Sequence, residues 1–179
     1  MTRSDLTDRI MAVSAIVAAV AAVLVGVYEA RINREYQRIS VWPRLQQSDS
    51  FMAEAYERNV TNVGNGPAII KSVEIRVDGE IKRTWGEVIR ALIGKPIPGN
   101  ITSWLHNGAV IVANKNVTTL KLAPGDDARK FWEAAQTDRL NIRICYSSLY
   151  DESWISDSKN EQPAPVASCT SDPAREFQQ

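Results

Sequence analysis

The chain is short of the residues that most chemistry uses. It has one histidine, two cysteines and three methionines in 179 residues, and its 21 acidic and 21 basic side chains cancel. A single histidine excludes a multi-histidine metal centre, and two cysteines about two dozen residues apart lack the ligand spacing of a zinc site. Without a basic excess there is no electrostatic footprint of a nucleic-acid binder, so no nucleic acid is expected among the partners. His106 is accompanied by no G-x-S-x-G nucleophile elbow, and Asp126-Asp127 and Asp151-Glu152 read as a helix cap and a turn. No catalytic, cofactor-binding or metal-binding residue is therefore expected, and the chain is read as a non-enzyme.

What it has in abundance is one long apolar run. Ile10 to Tyr28 contains no charge and one clearly polar residue, Ser14. At 1.5 Å per residue this spans roughly 28 Å, about the hydrocarbon thickness of a bilayer. A core helix of a soluble protein would show a polar face. A cleaved signal peptide would be shorter, about 7–15 apolar residues, and would end at a small-x-small site that Tyr28-Glu29-Ala30-Arg31 does not supply. The run is read as a retained transmembrane helix over 10–28, after an N-terminal tail over 1–9. Ser14, Ala18, Ala22 and Gly26 recur every four residues, a small-xxx-small ladder that lets helix backbones approach closely in lipid. An alanine-rich span can place small residues in register by chance; the reading carried forward is a helix-packing interface with a membrane protein complex or another copy of the chain.

Beyond the lipid, Tyr28, Ile32, Tyr36 and Ile39 keep a helical stripe while Arg31–Glu35 and Glu35–Arg38 are spaced for pairing. Pro43 stops the helix, giving a helical stalk over 29–41. The period then changes to two. Val73, Ile75 and Val77 alternate with polar residues, as do Ile142, Ile144 and Tyr146, the pattern of strands with one buried face. Strands are expected at 41–47, 52–62, 68–78, 109–114, 117–122, 139–147 and 154–156. Thr84-x-x-Glu87 is a capping box for a helix at 88–93, and Asp126 or Asp127 caps another at 128–135. The fold class is mainly β: an antiparallel sandwich over 42–158 with one or two short inserted helices, followed by a loose polar tail over 159–179.

Asn62-Val63-Gly64-Asn65-Gly66-Pro67 looks at first like a phosphate cradle. A phosphate loop opens a helix whose N–H groups face the anion, whereas Pro67 here leads into the β-branched run Ala68-Ile69-Ile70. It is a structural turn, with Gly64 and Gly66 expected to supply positive φ and Asn62 and Asn65 to bond local backbone. Trp104 and Leu105, on a long Pro/Gly-punctuated loop over 94–108, are the candidate partner-binding residues; exposed tryptophans are enriched at interfaces. Cys145 in a strand and Cys169 in the tail are either two free thiols or a disulfide stapling tail to sheet.

The pattern Asn62-x-Gly64-x-Gly66-Pro67-Ala68, the strand ending Val77-Asp78-Gly79 and the turn Leu122-Ala123-Pro124-Gly125 resemble bacterial immunoglobulin-like sandwich domains of the cell-adhesion-related kind. With its anchor, basic stalk and Ser40-Val41-Trp42-Pro43 step, the chain resembles uncharacterised bacterial single-span membrane proteins that carry such a domain. The resemblance covers about residues 10–158 and implies an Ig-like fold; it carries no catalytic residues. It makes the expected function that of a membrane-anchored accessory subunit or adaptor, with a small-ligand sensor as the alternative and a hydrolase using His106 less favoured. The expected place is a bacterial inner membrane. Arginines on either side of the span nearly balance, leaning slightly toward a cytoplasmic domain, while a disulfide would need an oxidising compartment; the periplasmic side is taken.

Overall fold

The computed structural model describes residues 3–98, 101–102 and 105–178. The chain divides into two compact units, 1–40 and 41–179. The first is one helix, α1 (Arg3–Ser40), long and apolar enough to span a membrane, with none of its apolar window buried within the chain. The break at Val41 falls where Pro43 forbids helical geometry to the residue before it.

The second unit is strand-rich, with two sheets and two short helices. The first sheet takes the order β1 (Leu45–Met52), β2 (Ala55–Asn62), β7 (Asn116–Leu122), β5 (Ile101–Thr102). The second runs β10 (Ala164–Val166), β9 (Ser153–Asp157), β8 (Leu140–Ser147), β3 (Ala68–Val77), β4 (Glu80–Lys82), with β6 (Val110–Ile111) paired to the start of β3. All pairings among the described residues are antiparallel. Inward residues of both sheets, Tyr56, Val60 and Leu120 from the first and Val73, Ile75 and Ile144 from the second, share one hydrophobic core.

The inserted helices are α2 (Trp85–Ile93) and α3 (Asp126–Ala135). Thr84 caps α2 through its hydroxyl, which accepts from the Glu87 N–H at 3.2 Å, while the Glu87 carboxylate reaches back to the Arg83 N–H. Gly94, at φ +82°, closes the other end in the left-handed conformation that suits glycine. The apolar face of α2, Trp85, Val88, Ile89 and Leu92, is buried. The expected Asp126 or Asp127 cap of α3 is corrected: Gly125 holds the cap position with no side-chain bond, and both aspartates lie in the first turn. There they complement the positive end of the helix dipole.

Three other expectations are corrected. The strand expected at 41–47 starts at Leu45 and runs on to Met52, turning back through Ala53 and Glu54, both at positive φ. Its inward residues after Leu45 include Gln47 and Asp49, so the apolar alternation that marks a half-buried strand is missing. The 94–108 loop contains β5, paired to β7. The tail is ordered along 159–178: β10 pairs with β9, and the Phe177 and Gln178 N–H groups donate to the Val73 and Arg83 carbonyls at 2.9 and 2.6 Å.

Candidate functional site

The turn after β2 is organised by one buried side chain. Asn62 is fully buried; its Oδ1 accepts from the N–H groups of Gly64 and Arg44 at 3.0 and 3.2 Å, and its Nδ2 donates to the carbonyls of Gly66 and Ile111, both at 2.8 Å. All four hydrogen-bonding positions of the amide are used. Asn65 contributes its backbone N–H to the Trp42 carbonyl at 3.0 Å, its side chain being exposed. Gly64 and Gly66 are not at positive φ, which corrects their expected role. They are glycines because the incoming chain passes over them. A Cβ on Gly64 would lie 2.4 Å from the Trp42 carbonyl oxygen and the Arg44 nitrogen, and one on Gly66 only 1.7 Å from the Val41 carbonyl oxygen. Pro67 then leads directly into β3, and no helix N-terminus is offered to an anion.

This node builds one end of the sheet unit, the end at which Val41 enters. The turn at 63–67, the loop at 112–115 whose Asn114 N–H donates to the Asn62 carbonyl, and the β8–β9 turn at 148–152 all meet there, because Ile69 pairs with both Val110 and Ser147. Six large apolar side chains are exposed across it: Trp42 at 40%, Val63 at 43%, Val110 at 55%, Val112 at 57%, Leu149 at 60% and Tyr150 at 44%. Trp42 is braced edge-on against Trp154, which stacks on buried Tyr146. Burial pushes the Tyr146 phenol up to about 12, and its hydroxyl accepts from the Leu45 N–H.

A second constellation joins the two sheets from inside. The Arg58 guanidinium, 4% exposed, donates to both oxygens of Asp49 at 2.8 and 2.9 Å and to Gln47 at 3.0 Å. The Tyr56 hydroxyl donates to Asp49 at 2.7 Å, and burial drives that phenol well above its ordinary value. Gln47 in turn donates across to the Ile142 and Ser156 carbonyls. Each charged group here has its partner, which suits a fastening between sheets. Beside it, between the sheets and α2, lies a cavity of about 20 Å³ lined in part by Arg58, Trp85, Leu105 and Phe177.

Of the expected partner-binding residues, Trp104 lies outside the described residues. Leu105 is partly buried, packing against the core beside that cavity. His106 is exposed on the surface, its Nδ1 2.7 Å from the Asn107 carbonyl oxygen. On α1, Ser14, Ala18, Ala22 and Gly26 are exposed; Ser14 turns its hydroxyl back to the Met11 carbonyl at 2.9 Å, hiding its polarity within the helix. A Cβ on Gly26 would meet nothing within 4 Å.

Cys145 and Cys169 are joined by a disulfide. It clasps the tail to the second sheet, and Phe177 beyond it seats edge-on against Trp85 with ring centroids 5.3 Å apart. Arg175 pairs with Glu74 at 2.9 Å. The sequence signal for this strap was the cysteine pair alone. Changing both cysteines to serine is expected to cost about 3 kcal/mol through the freed loop of 24 residues, and limited proteolysis should then cut within 159–178. Unchanged protection of the tail would contradict the strap.

No curated protein and no solved structure matches the chain. One family does match, over residues 10–163, a stretch that takes in the apolar helix, the Asn62 node and Cys145 and stops short of Cys169. That covers most of the chain, which therefore belongs to the family described as "Domain of unknown function (DUF8453)".

Proposed function

We propose that this protein is a membrane-anchored accessory or adaptor subunit of a membrane complex. In this reading α1 spans a bacterial inner membrane, and an Ig-like β-sandwich stands on its periplasmic side as the gripping module. The single observation that carries it is the exposed apolar helix. Ten large apolar side chains between Ile10 and Val27 are each more than half exposed. Leaving them in water would cost on the order of 15 kcal/mol or more, as much as the whole stability of a typical domain. Lipid, or other helices within lipid, must cover them.

The disulfide between Cys145 and Cys169 supports the oxidising side of the membrane. The two-sheet unit with a shared core supports the sandwich. The site residues support binding over catalysis, since the buried charges at Asp49 and Arg58 are spent on each other and on the opposite sheet. A small-ligand sensor is less well supported: the cavity beside α2, at about 20 Å³, is the size of a water molecule.

The test is co-purification in mild detergent. With Ser14, Ala18, Ala22 and Gly26 all changed to leucine, the chain should still insert but lose its membrane partner, because bulky side chains hold helix backbones apart. Undiminished recovery of the partner would remove the helix-packing half of the proposal.

A further inference from the structure

We propose that the edge of β3 beside α2 is a peptide-docking groove, occupied in this chain by its own C-terminal segment. The segment it takes is extended and carries a basic side chain two residues before an aromatic one. The inference deepens the adaptor reading, on which it rests, by naming the chemistry of what the sheet unit grips.

The groove begins as a gap in a sheet edge. On the side of β3 away from β8, β6 pairs with Ala68 and Ile69, and β4 pairs with Ile75 to Val77. The Ile70 N–H and carbonyl are taken by Ala109 and Gly108. Between Ile70 and Ile75 no strand covers this edge among the described residues. There the Val73 carbonyl accepts from the Phe177 N–H at 2.9 Å. One residue on, the Gln178 N–H donates to the Arg83 carbonyl, at the junction of β4 and α2. Main-chain bonds to an open strand edge are how an added peptide is held, and side-chain seats beside them supply the selectivity.

Two such seats flank the gap. Phe177 sets its ring edge-on against Trp85 and lines the cavity between the sheets and α2. Two residues earlier, Arg175 pairs with Glu74 at 2.9 Å. The Glu74 side chain is 19% exposed and also holds Arg76, so its carboxylate is fixed in place. An aromatic seat and a fixed carboxylate at this spacing read basic-x-aromatic.

The present occupant is lightly held, as a docked segment is and a core element is not. Over 171–178 no residue lies in a strand or helix, and all but Glu176 and Phe177 are exposed. Its fit is also incomplete. The Arg83 Nη2 donates to the Pro173 carbonyl at 3.3 Å, while the Arg83 Nε is buried and has no partner among the described residues. A buried donor left unmade is costly, and a segment offering an acceptor there would fit better than the chain's own. What keeps the segment in place is its tether. The disulfide fixes Cys169 to Cys145, eight residues before Phe177. A tether this short acts like a free ligand at about a millimolar or more, so the groove stays closed to weaker competitors.

The experiment uses the full chain in mild detergent and a fluorescent peptide copying Ser171 to Gln178, read by anisotropy. Two variants open the groove: Phe177→Ala at full length, and a chain ending after Thr170, which keeps the disulfide. Both should bind the peptide saturably, about tenfold or more tightly than the native chain, whose tethered segment competes. Phe177→Ala in the peptide should weaken binding about tenfold or more, and Arg175→Ala about two- to fivefold. Thermal unfolding checks both chains, and Phe177→Ala carries the test should the shortened one not fold. Equal binding to native and opened chains, no binding to a folded opened chain, or a peptide indifferent to Phe177→Ala would each overturn the groove. No membrane partner is present in this assay, so its failure leaves the helix-packing half of the adaptor reading standing, and loss of that half leaves the peptide result in place.

Discussion

Replacing Asp49 by alanine is expected to lower the stability of the sheet unit by about 3–5 kcal/mol, the cost of leaving one partner of a buried ion pair alone. The carboxylate is the shared acceptor of two buried donors, the Arg58 guanidinium and the Tyr56 hydroxyl. Without it Arg58, 4% exposed, keeps a full charge with only Gln47 beside it. Asp49→Asn retains an acceptor and should fall between alanine and the native chain. Replacing the cluster together, Asp49→Leu and Arg58→Met with Tyr56→Phe, removes both charges and the buried hydroxyl that donates to Asp49, and is expected to cost far less than Asp49→Ala, since an apolar substitute for a buried pair is often neutral. Urea unfolding of the full chain in mild detergent, followed by tryptophan fluorescence, measures all four. A loss below about 1 kcal/mol for Asp49→Ala would mean that the pair behaves as a surface contact and that the two sheets are fastened elsewhere.

Gly66→Ala is expected to be comparably damaging, at about 3 kcal/mol or more. The new methyl would sit 1.7 Å from the Val41 carbonyl oxygen, and its neighbours within reach are all backbone. No side chain can rotate away. The incoming segment has to lift, and lifting it breaks the Asn65 and Gly66 N–H bonds to the Trp42 carbonyl. The melting temperature should fall by roughly 10 °C for a unit of this size. Gly79→Ala is the control: its φ of +84° brings strain of about 1 kcal/mol, but its Cβ meets nothing within 4 Å. If both changes cost the same, the close approach at Gly66 is not the reason for that glycine. Asn62→Ala should share the loss, since it strands two buried N–H donors and two carbonyls.

The contrast between these two sites shows what a sequence can carry. The Asn62 node was legible because its residue types advertise it: an amide, two glycines and a proline ahead of a β-branched run. Even so, the reason for the glycines was not legible, because the close pass of Val41–Arg44 over them is a tertiary fact. The Asp49–Arg58 fastening was invisible for the opposite reason. A strand that sends Gln47 and Asp49 inward looks like a polar linker, and only the opposing sheet shows why it is not one. The strands β3 and β8 were legible since their inward positions are all apolar. The tail was misread because its anchoring is sparse: one disulfide, Phe177 on Trp85 and a few backbone bonds hold a segment whose composition is polar.

The apolar end escaped sequence reading as well. Trp42 lies on the segment that enters the sheet unit, and Val112 and Leu149 belong to two separate loops, each with one or two apolar residues. Pairing of β3 with both β6 and β8 gathers them.

All of this turns on α1 being held in a bilayer. Membranes carrying the full chain should be washed with urea and floated on a density gradient beside a version lacking residues 1–28. The full chain is expected to rise with the lipid while the shortened one stays in the soluble fraction. A full chain released by the wash would contradict it.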